Sequence, residues 1–247
     1  MVDRPTLPVC VIVGAGAGNG MALARKFSKQ GYSVALLARN KIALDKRIEE
    51  DKELNGVFSY RCDVTDHNEV THVFEDIRAQ QGTVSSLIYN AGNAVFDSIN
   101  NASMNTLEQA WKTNIKGLLL CSQALIPEMK TLNDNNSVET KASIVIIGAT
   151  ASVKGSANFL SFTAAKGGQR NMAESMARSL GPEGIHVAYV VIDGVIDTPM
   201  TRGFIKNKED DFFLSPDAIA DTVYHLSAQE KSAWSFEVDI RPFLEKW

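Results

Sequence analysis

One short stretch near the N-terminus constrains the fold of this chain more than any other. An apolar run, VCVIV at 9–13, leads directly into the glycine-rich string GAGAGNG, and a segment with helical periodicity follows. Glycine permits positive φ angles and lets backbone N–H groups approach a pyrophosphate, whose charge a helix N-terminus also attracts. A glycine-rich string alone is equally compatible with a simple tight turn. Placed between a first strand and a first helix, it predicts a dinucleotide-binding unit.

The rest of the chain alternates short β-branched runs with longer segments of helical period. The runs are continuously apolar, which is typical of parallel strands covered by helices on both faces. The sequence therefore predicts an α/β fold, a Rossmann-type doubly wound sheet of about seven parallel strands with helices on both faces. One domain is expected over residues 1–247, with a surface loop at 131–141. The predicted strands are Val9–Val13, Ser33–Ala38, Val57–Cys62, Ser86–Tyr89, Ser143–Ile147, His186–Val191 and Ser235–Ile240, and the predicted helices are 19–30, 41–54, 67–80, 105–130, 157–180 and 216–228.

Charge and cysteine content limit the classes of partner. A formal net charge of −4 gives no reason to expect a nucleic acid or a membrane surface. No apolar run approaches the ~20 residues that cross a bilayer, and no secretory signal is visible, so we expect a cytoplasmic protein. Three isolated cysteines and four histidines without ligand spacing predict buried thiols and no metal site.

The end of the second strand predicts which nicotinamide nucleotide fits. A free ribose 2′-hydroxyl usually meets an acidic residue at this point. Here Ala38 is followed by Arg39 and Asn40, and a guanidinium binds a phosphate through two parallel hydrogen bonds. NADP(H) is therefore predicted over NAD(H). The alternative is that Arg39 does no more than solvate the start of a helix. Asp63, after the third strand, is expected either to accept from an adenine amino group or to cap the next helix.

Several motifs together resemble the short-chain dehydrogenase/reductases over nearly the whole chain. Besides the glycine spacing, CDV at 62–64 and NAG at 90–92 match two motifs of that family. Asn114 matches a helix asparagine that holds a proton-relay water, and Lys166 matches the lysine that binds the nicotinamide ribose. The segment DGVIDTPM at 193–200 resembles the stretch that lies along the nicotinamide.

This resemblance implies a Rossmann-type fold, a nicotinamide cofactor and a small-molecule substrate. It also implies a homodimer or homotetramer built on the helices at 105–130 and 157–180. The cofactor-binding residues that it implies are Gly14, Gly16, Ala17, Gly18, Asn19, Gly20, Arg39, Asn40, Asp63, Val64, Asn90, Ala91, Gly92, Lys166, Gly194, Ile196 and Thr198.

Three positions depart from the family pattern. Phe162 stands where the family has a proton-donating tyrosine, Ala149 where it has a serine, and Asp193 where it has a proline. Loss of general acid–base help costs about 10²–10⁴ in rate, and loss of an oxyanion donor about 10²–10³ more. A shift in register would turn a helical side chain by about 100° but could bring in another hydroxyl. The hydroxyls near enough for this are those of Thr150, Ser152, Ser161 and Thr163.

These departures leave three functions open. The first is an NADPH-dependent oxidoreductase whose acceptor needs little acid help, such as an iminium or an enone, or a carbonyl with a replacement donor. The second is a catalytically silent NADP(H)-binding protein, and the third is a non-redox isomerase or cyclase with Asp193 as base. Asp193 could instead cap the following turn or stabilise a cationic substrate. The candidate catalytic positions are Lys166, Asn114, Asp193, Phe162 and Ala149.

Overall fold

A computed structural model describes residues 7–134 and 141–246. Its strands are β1 (Val9–Val13), β2 (Ser33–Ala38), β3 (Val57–Arg61), β4 (Val84–Tyr89), β5 (Ala142–Ile147), β6 (Ile185–Ile192), β7 (Val195–Ile196), β8 (Phe213–Leu214) and β9 (Glu237–Ile240). Its helices are α1 (Asn19–Lys29), α2 (Lys41–Glu50), α3 (His67–Gln81), α4 (Met104–Trp111), α5 (Gly117–Asp134), α6 (Leu160–Leu180), α7 (Pro199–Phe204) and α8 (Pro216–Ser227), and a π-helical turn at Lys112–Lys116 joins α4 to α5.

Within these ranges, seven strands form one parallel sheet in the order β3-β2-β1-β4-β5-β6-β9. From β1 the chain winds outward to β3 on one side, and from β4 it winds outward to β9 on the other. The connections after β1 and β4 therefore diverge and open a crevice at the carboxyl ends of the strands. The predicted Rossmann-type fold is confirmed. Strands β7 and β8 form a separate small pair beside the sheet.

The central strands are buried on both faces, which explains their continuous apolar sequence. Every residue of β1, β4, β5 and β6 is buried. Alternate residues of β1 belong to different halves of the core, since Val11 packs in one cluster and Ile12 in the other. The three cysteines are buried free thiols, as the sequence predicted. No helix in the described ranges combines the length and hydropathy needed to span a lipid bilayer.

Helix ends differ from prediction where short-range signals are weak. The helix predicted at 105–130 is divided by the π turn, because an i→i+5 step leaves no mark in the apolar period. Helix α5 also continues to Asp134, into the segment predicted as a loop, while residues 135–140 of that segment lie outside the described residues. The pair β7–β8 and helix α7 were not predicted, because elements this short carry no periodicity.

The helices around the crevice begin in two different ways. Asn40 caps α2, where its Oδ1 accepts from Ala43 N at 3.0 Å, and Asp66 and Thr198 cap α3 and α7 in the same manner. Helix α1 follows Gly18 and, among the described residues, receives no side-chain cap. Its first N–H groups therefore lack the partner that a cap supplies. An anion at this point would find donors ready to bind it.

Candidate functional site

Two adjoining clefts lie at the carboxyl ends of the parallel strands. The first cleft, of 560 Å³, extends from the glycine turn to Arg39 and Asp63. The second cleft, of 690 Å³, extends from the glycine turn to Phe162 and Lys166. Residues that line both clefts are Gly16, Asn90 and Gly92.

All predicted cofactor-binding residues lie along these two clefts. The first cleft contains Gly14, Gly16, Arg39, Asn40, Asp63, Val64, Asn90, Ala91 and Gly92. The second contains Gly16, Ala17, Gly18, Asn19, Gly20, Asn90, Gly92, Lys166, Gly194, Ile196 and Thr198. Residues far apart in the sequence meet here because parallel strands end at one edge of the sheet.

The glycine turn is shaped by close backbone approaches. Gly14 has φ +83°, and a Cβ added there would lie 2.5 Å from the backbone of Ala91. A Cβ at Gly20 would lie 2.6 Å from Ala15 Cα. At Gly16 an added Cβ would meet no protein atom within 4 Å, so this residue faces open space in the clefts. Gly14 and Gly20 thus serve the fold, while Gly16 leaves room for a ligand to approach the backbone.

Asn90 ties the glycine turn to the end of β4. Its Nδ2 donates to Gly14 O at 2.8 Å, and its backbone N–H donates to Val13 O at 2.9 Å. Asn19 Nδ2 donates to Asn90 Oδ1 at 3.4 Å, whereas the buried Oδ1 of Asn19 has no hydrogen-bond partner among the described residues. A buried polar atom without a partner is costly. A donor supplied by a ligand would remove that cost.

Two arginines of the first cleft are distinguished by their lack of ion pairs. Among the arginines in the described ranges, seven have a carboxylate within ion-pair distance and Arg39 and Arg47 have none. Both unpaired guanidinium groups line the first cleft. Arg47 also donates to Ala43 O at 3.1 Å, one turn earlier in α2. Sequence reasoning missed Arg47, although its spacing of four from Ala43 places both on one helix face.

Asp63 follows β3 and lines the first cleft together with these arginines. Its Oδ1 accepts from Thr65 N at 2.9 Å and from Thr65 Oγ1 at 2.8 Å. Burial raises the pKa of Asp63, but the hydrogen bonds from Thr65 and the charge of Arg39 outweigh it and hold that pKa below its usual value. The suggestion that Asp63 caps the next helix is wrong, because Asp66 caps α3. Asp63 therefore remains available as a charged acceptor in the first cleft.

The second cleft is apolar where the family has hydroxyl groups. Ala149 and Phe162 both line it. They also line a side pocket of 470 Å³ that reaches Phe159 and Lys154. The Phe162 ring centroid lies 5.9 Å from Lys166 Nζ, as expected for two residues four apart on one helix. The described residues that line these two cavities include two charged side chains, both of them lysines.

The hydroxyls considered as replacements have other partners or other positions. Ser161 donates to Asp97, Ser152 donates to Ala149 O at 2.6 Å, and Thr150 donates to Asp193 Oδ1 at 2.7 Å. The Thr163 hydroxyl is buried without a partner among the described residues and does not line the second cleft. The register shift that would bring in such a hydroxyl is therefore not observed.

Asp193 lies beside the second cleft with its carboxylate turned away from it. Arg241 NH1 lies 3.2 Å from Asp193 Oδ2, and Thr150 donates to Oδ1. Asp193 is absent from the lining of both the second cleft and the side pocket. This geometry gives no support to the idea that Asp193 acts as a base or meets a cationic substrate. Its carboxylate instead joins the β6 end to the C-terminal segment.

Lys166 and Asn114 are both buried near the place where the first and second clefts meet. Lys166 Nζ donates to Ile147 O and to Gln169 Oε1, both at 2.8 Å. Burial lowers the pKa of Lys166 to about 7. Asn114, within the π turn, donates from Nδ2 to Ala110 O at 2.9 Å, and its Oδ1 has no partner among the described residues. A Cβ added at Gly92 would lie 3.5 Å from Asn114 Oδ1 and 3.9 Å from Lys166 Nζ.

Comparison with known proteins agrees with this arrangement. The family described as short chain dehydrogenase matches the chain over residues 8–209, a range that includes both clefts. Meso-2,3-butanediol dehydrogenase of Serratia marcescens is 29% identical over 204 residues, which are 83% of this chain and 77% of that protein. The structure of a short-chain dehydrogenase from Rhodopseudomonas palustris matches with a TM-score of 0.79 at 28% identity, over 96% of this chain and 99% of that one. A metagenomic short-chain oxidoreductase in complex with NADP matches with a TM-score of 0.80 at 25% identity, over 96% of this chain and 98% of that one.

Proposed function

The chain belongs to the short-chain dehydrogenase family, and from this premise we propose that it is an NADPH-dependent oxidoreductase that reduces a small organic acceptor. The observation that carries the proposal is the pair of unpaired guanidinium groups, Arg39 and Arg47, in the first cleft. A 2′-phosphate is the group by which NADP(H) differs from NAD(H), and a guanidinium binds phosphate well. That a family relative has been solved with NADP supports the same choice.

The remaining residues of the two clefts fit the rest of such a nucleotide. The uncapped start of α1 offers backbone N–H groups to a pyrophosphate, and Gly16 leaves space for that group beside the turn. Asp63 offers an acceptor for an adenine amino group at the far end of the first cleft. In the second cleft, Lys166 offers a donor to ribose hydroxyls. Together these residues would hold the cofactor across both clefts.

The second cleft limits which acceptors can react. When bound, reduced nicotinamide supplies a hydride, which forms a C–H bond at an electron-poor carbon while that carbon's double bond breaks and its electron pair moves to the far atom. Neither Ala149 nor Phe162 can give that far atom a proton or a hydrogen bond. An alkoxide formed from a simple carbonyl would thus lack stabilisation. The enolate formed from an enone is stabilised by delocalisation until solvent supplies a proton.

The charge of the acceptor distinguishes the two remaining kinds, the iminium and the enone. A cationic iminium favours a carboxylate in its surroundings, but the charged side chains that line the second cleft and the side pocket are Lys166 and Lys154. Asp193, the nearest candidate counter-ion, is bound by Arg241. A neutral electron-poor alkene meets no such repulsion, and Phe159 and Phe162 offer it apolar contact. We therefore favour enone-type acceptors.

The test is NADPH oxidation by the purified protein with matched panels of enones, cyclic imines and ketones. We expect turnover of one or more enones and formation of the saturated product, with no oxidation when the saturated analogue is supplied. NADH should support much less turnover at equal concentration. Absence of NADPH oxidation with all three panels would contradict the proposed activity.

A second candidate, an NADP(H)-binding protein without turnover, is favoured by one observation. The four hydroxyls considered as replacements are either bonded elsewhere or do not line the second cleft. Equilibrium binding by fluorescence, combined with the acceptor panels, separates the candidates, because the silent protein would bind NADPH tightly and oxidise it with no acceptor. The isomerase alternative loses support because Asp193 is committed to Arg241 and Thr150.

Assembly into a homodimer or homotetramer is proposed alongside this activity. Trp111 at the end of α4 is 47% exposed and Leu119 in α5 is 41% exposed, so apolar side chains are available on the helices that the sequence singled out. Light scattering coupled to size exclusion measures the mass directly. A monomeric mass at micromolar concentration would contradict the proposal.

A further inference from the structure

A buried glutamine joins the π turn to the lysine of the second cleft. Gln169 has no exposed surface and lies on α6, one turn after Lys166. Its Oε1 accepts from Lys166 Nζ at 2.8 Å, and its Nε2 donates to Asn114 O at 2.6 Å. One amide thus links a cation to a backbone carbonyl 55 residues away in sequence.

The carbonyl that Gln169 meets is offered by an irregularity of the helix. In the π turn Lys112–Lys116 the backbone bonds run i→i+5, which changes the directions of the carbonyl groups. Two successive carbonyls there accept from side chains, since Tyr89 Oη donates to Thr113 O and Gln169 Nε2 donates to Asn114 O. Such turns are frequent at functional sites. The irregularity therefore has an identifiable partner in α6.

The amide of Gln169 also fixes where the Lys166 ammonium can donate. Of its three N–H groups, two go to Ile147 O and Gln169 Oε1. The third is left for a ligand in the second cleft, which Lys166 lines. An amide neither gains nor loses a proton near neutral pH, so this link orients the cation without conducting protons. The backbone carbonyl of Asn114, the residue at which the family resemblance implies a relay water, accepts from Gln169.

Among the residues that the structure describes, no charged group acts on Lys166 Nζ. Ile147 contributes a carbonyl from β5, and Phe162 contributes the face of its ring from α6. Tyr189 of β6 is the titratable neighbour, with its Oη 3.4 Å from Gln169 Oε1, and burial holds the pKa of Tyr189 well above its usual value. Since burial is the cause that lowers the pKa of Lys166, the acceptor from Gln169 opposes it by stabilising the charged form.

We propose that Gln169 is a positioning residue that orients the Lys166 amine toward the second cleft and favours its charged form, in which it would bind the ribose of the nicotinamide nucleotide. The part that concerns the nucleotide rests on the proposed function. The part that concerns the charge of Lys166 does not, because it follows from the contacts of the protein alone.

The first test follows the free energy of unfolding with pH and needs no cofactor. The pKa of Lys166 is about 7 in the folded protein and about 10.4 in an unfolded chain. Between these values the unfolded state binds more protons, so stability rises with pH across that window. Gln169→Leu should lower the folded pKa, so that the rise begins at lower pH. Gln169→Glu should abolish the rise, because the introduced carboxylate keeps Lys166 protonated in the folded state as it is in the unfolded state, so that the two states bind equal numbers of protons.

Control variants separate this effect from general damage to the core. Gln81→Leu removes a half-buried glutamine bonded to Ser33 and Tyr60 at the opposite end of β2, and its pH profile should parallel the wild type. In a Lys166→Met background, Gln169→Leu should no longer change the pH profile. If Gln169→Leu fails to fold, the pH profile of Gln169→Glu compared with that of the wild type tests the proposal. Parallel profiles for wild type and the folded Gln169 variants would overturn the proposal.

The second test measures NADPH affinity by fluorescence titration. Gln169→Leu should weaken binding at neutral pH by about tenfold, because the ammonium is lost there, and binding should recover as the pH is lowered. An equal loss at every pH would indicate damage to the cleft and would contradict the positioning role. A wild-type protein that binds no NADPH but shows the expected stability profiles would refute the proposed function and leave the charge-setting role of Gln169 standing.

Discussion

The two clefts share a glycine turn but offer a ligand very different side chains. The first presents unpaired cations and a charged carboxylate, Arg39, Arg47 and Asp63. The second presents a methyl group and a phenyl ring, Ala149 and Phe162, above a buried lysine. Groups suited to a 2′-phosphate thus lie in one cleft, while the other lacks hydroxyls at the two positions that would move a proton. We interpret the contrast as retained cofactor affinity beside a chemistry that takes no proton from the protein.

The largest expected effect tests the charged cleft. Arg39→Ala combined with Arg47→Ala should weaken NADPH binding by about 10²- to 10⁴-fold, because hydrogen bonds to charged groups contribute about 1.5–3 kcal/mol each. NADH affinity should change little, and titration of both nucleotides measures the difference. Arg178→Ala, which removes an exposed partner of Glu174, is the matched control. Equal losses for NADPH and NADH would remove the contrast between the clefts.

The next prediction restores hydroxyls to the apolar cleft. Ala149→Ser with Phe162→Tyr should raise kcat/KM for ketones by about 10²-fold, since general acid help and an oxyanion donor return together. Phe159→Tyr places the same hydroxyl on a neighbouring ring of the side pocket and should produce no such gain. Unchanged ketone reduction in the double variant would mean that the missing hydroxyls do not limit the second cleft.

A third prediction concerns the turn that the clefts share. Gly14→Ala and Gly31→Ala both place a side chain at positive φ, +83° and +84°, but an added Cβ clashes with Ala91 only at Gly14. The Gly31 variant should cost about 1 kcal/mol of unfolding free energy, and the Gly14 variant about 3 kcal/mol or more because backbone must also move. Urea unfolding measures both. Equal costs would show that the turn tolerates displacement.

The smallest effect is expected at the rim of the second cleft. Asp193→Asn should leave turnover largely unchanged and cost about 1 kcal/mol of stability, because the carboxylate serves Arg241 and Thr150 rather than a substrate. Asp239→Asn, which removes another carboxylate bound to Arg241, is the control. A loss of turnover of about 100-fold or more with Asp193→Asn alone would reinstate that carboxylate as a base.

Sequence reasoning succeeded where the signal is local. The limits of β1 and β2 agree with the structure at both ends, because an uninterrupted apolar run bounded by glycine or charge leaves little choice of register. Placement of the predicted cofactor residues along two clefts follows from the same regularity, since every parallel strand ends at one edge. The partner of Asp193 could not be predicted in this way, because Arg241 lies beyond another strand, β9.

The sequence by itself determined the doubly wound sheet, the glycine turn and the absence of hydroxyls at Ala149 and Phe162. These depend on periodicity and on residue type, which can be read one segment at a time. The tertiary structure alone decided that Arg47 joins Arg39, that Gln169 bonds both Lys166 and the π turn, and that Asp193 is neutralised by Arg241. Each of these is a contact between side chains brought together by packing, and a charge or an amide acquires its role only from the partner that packing places beside it.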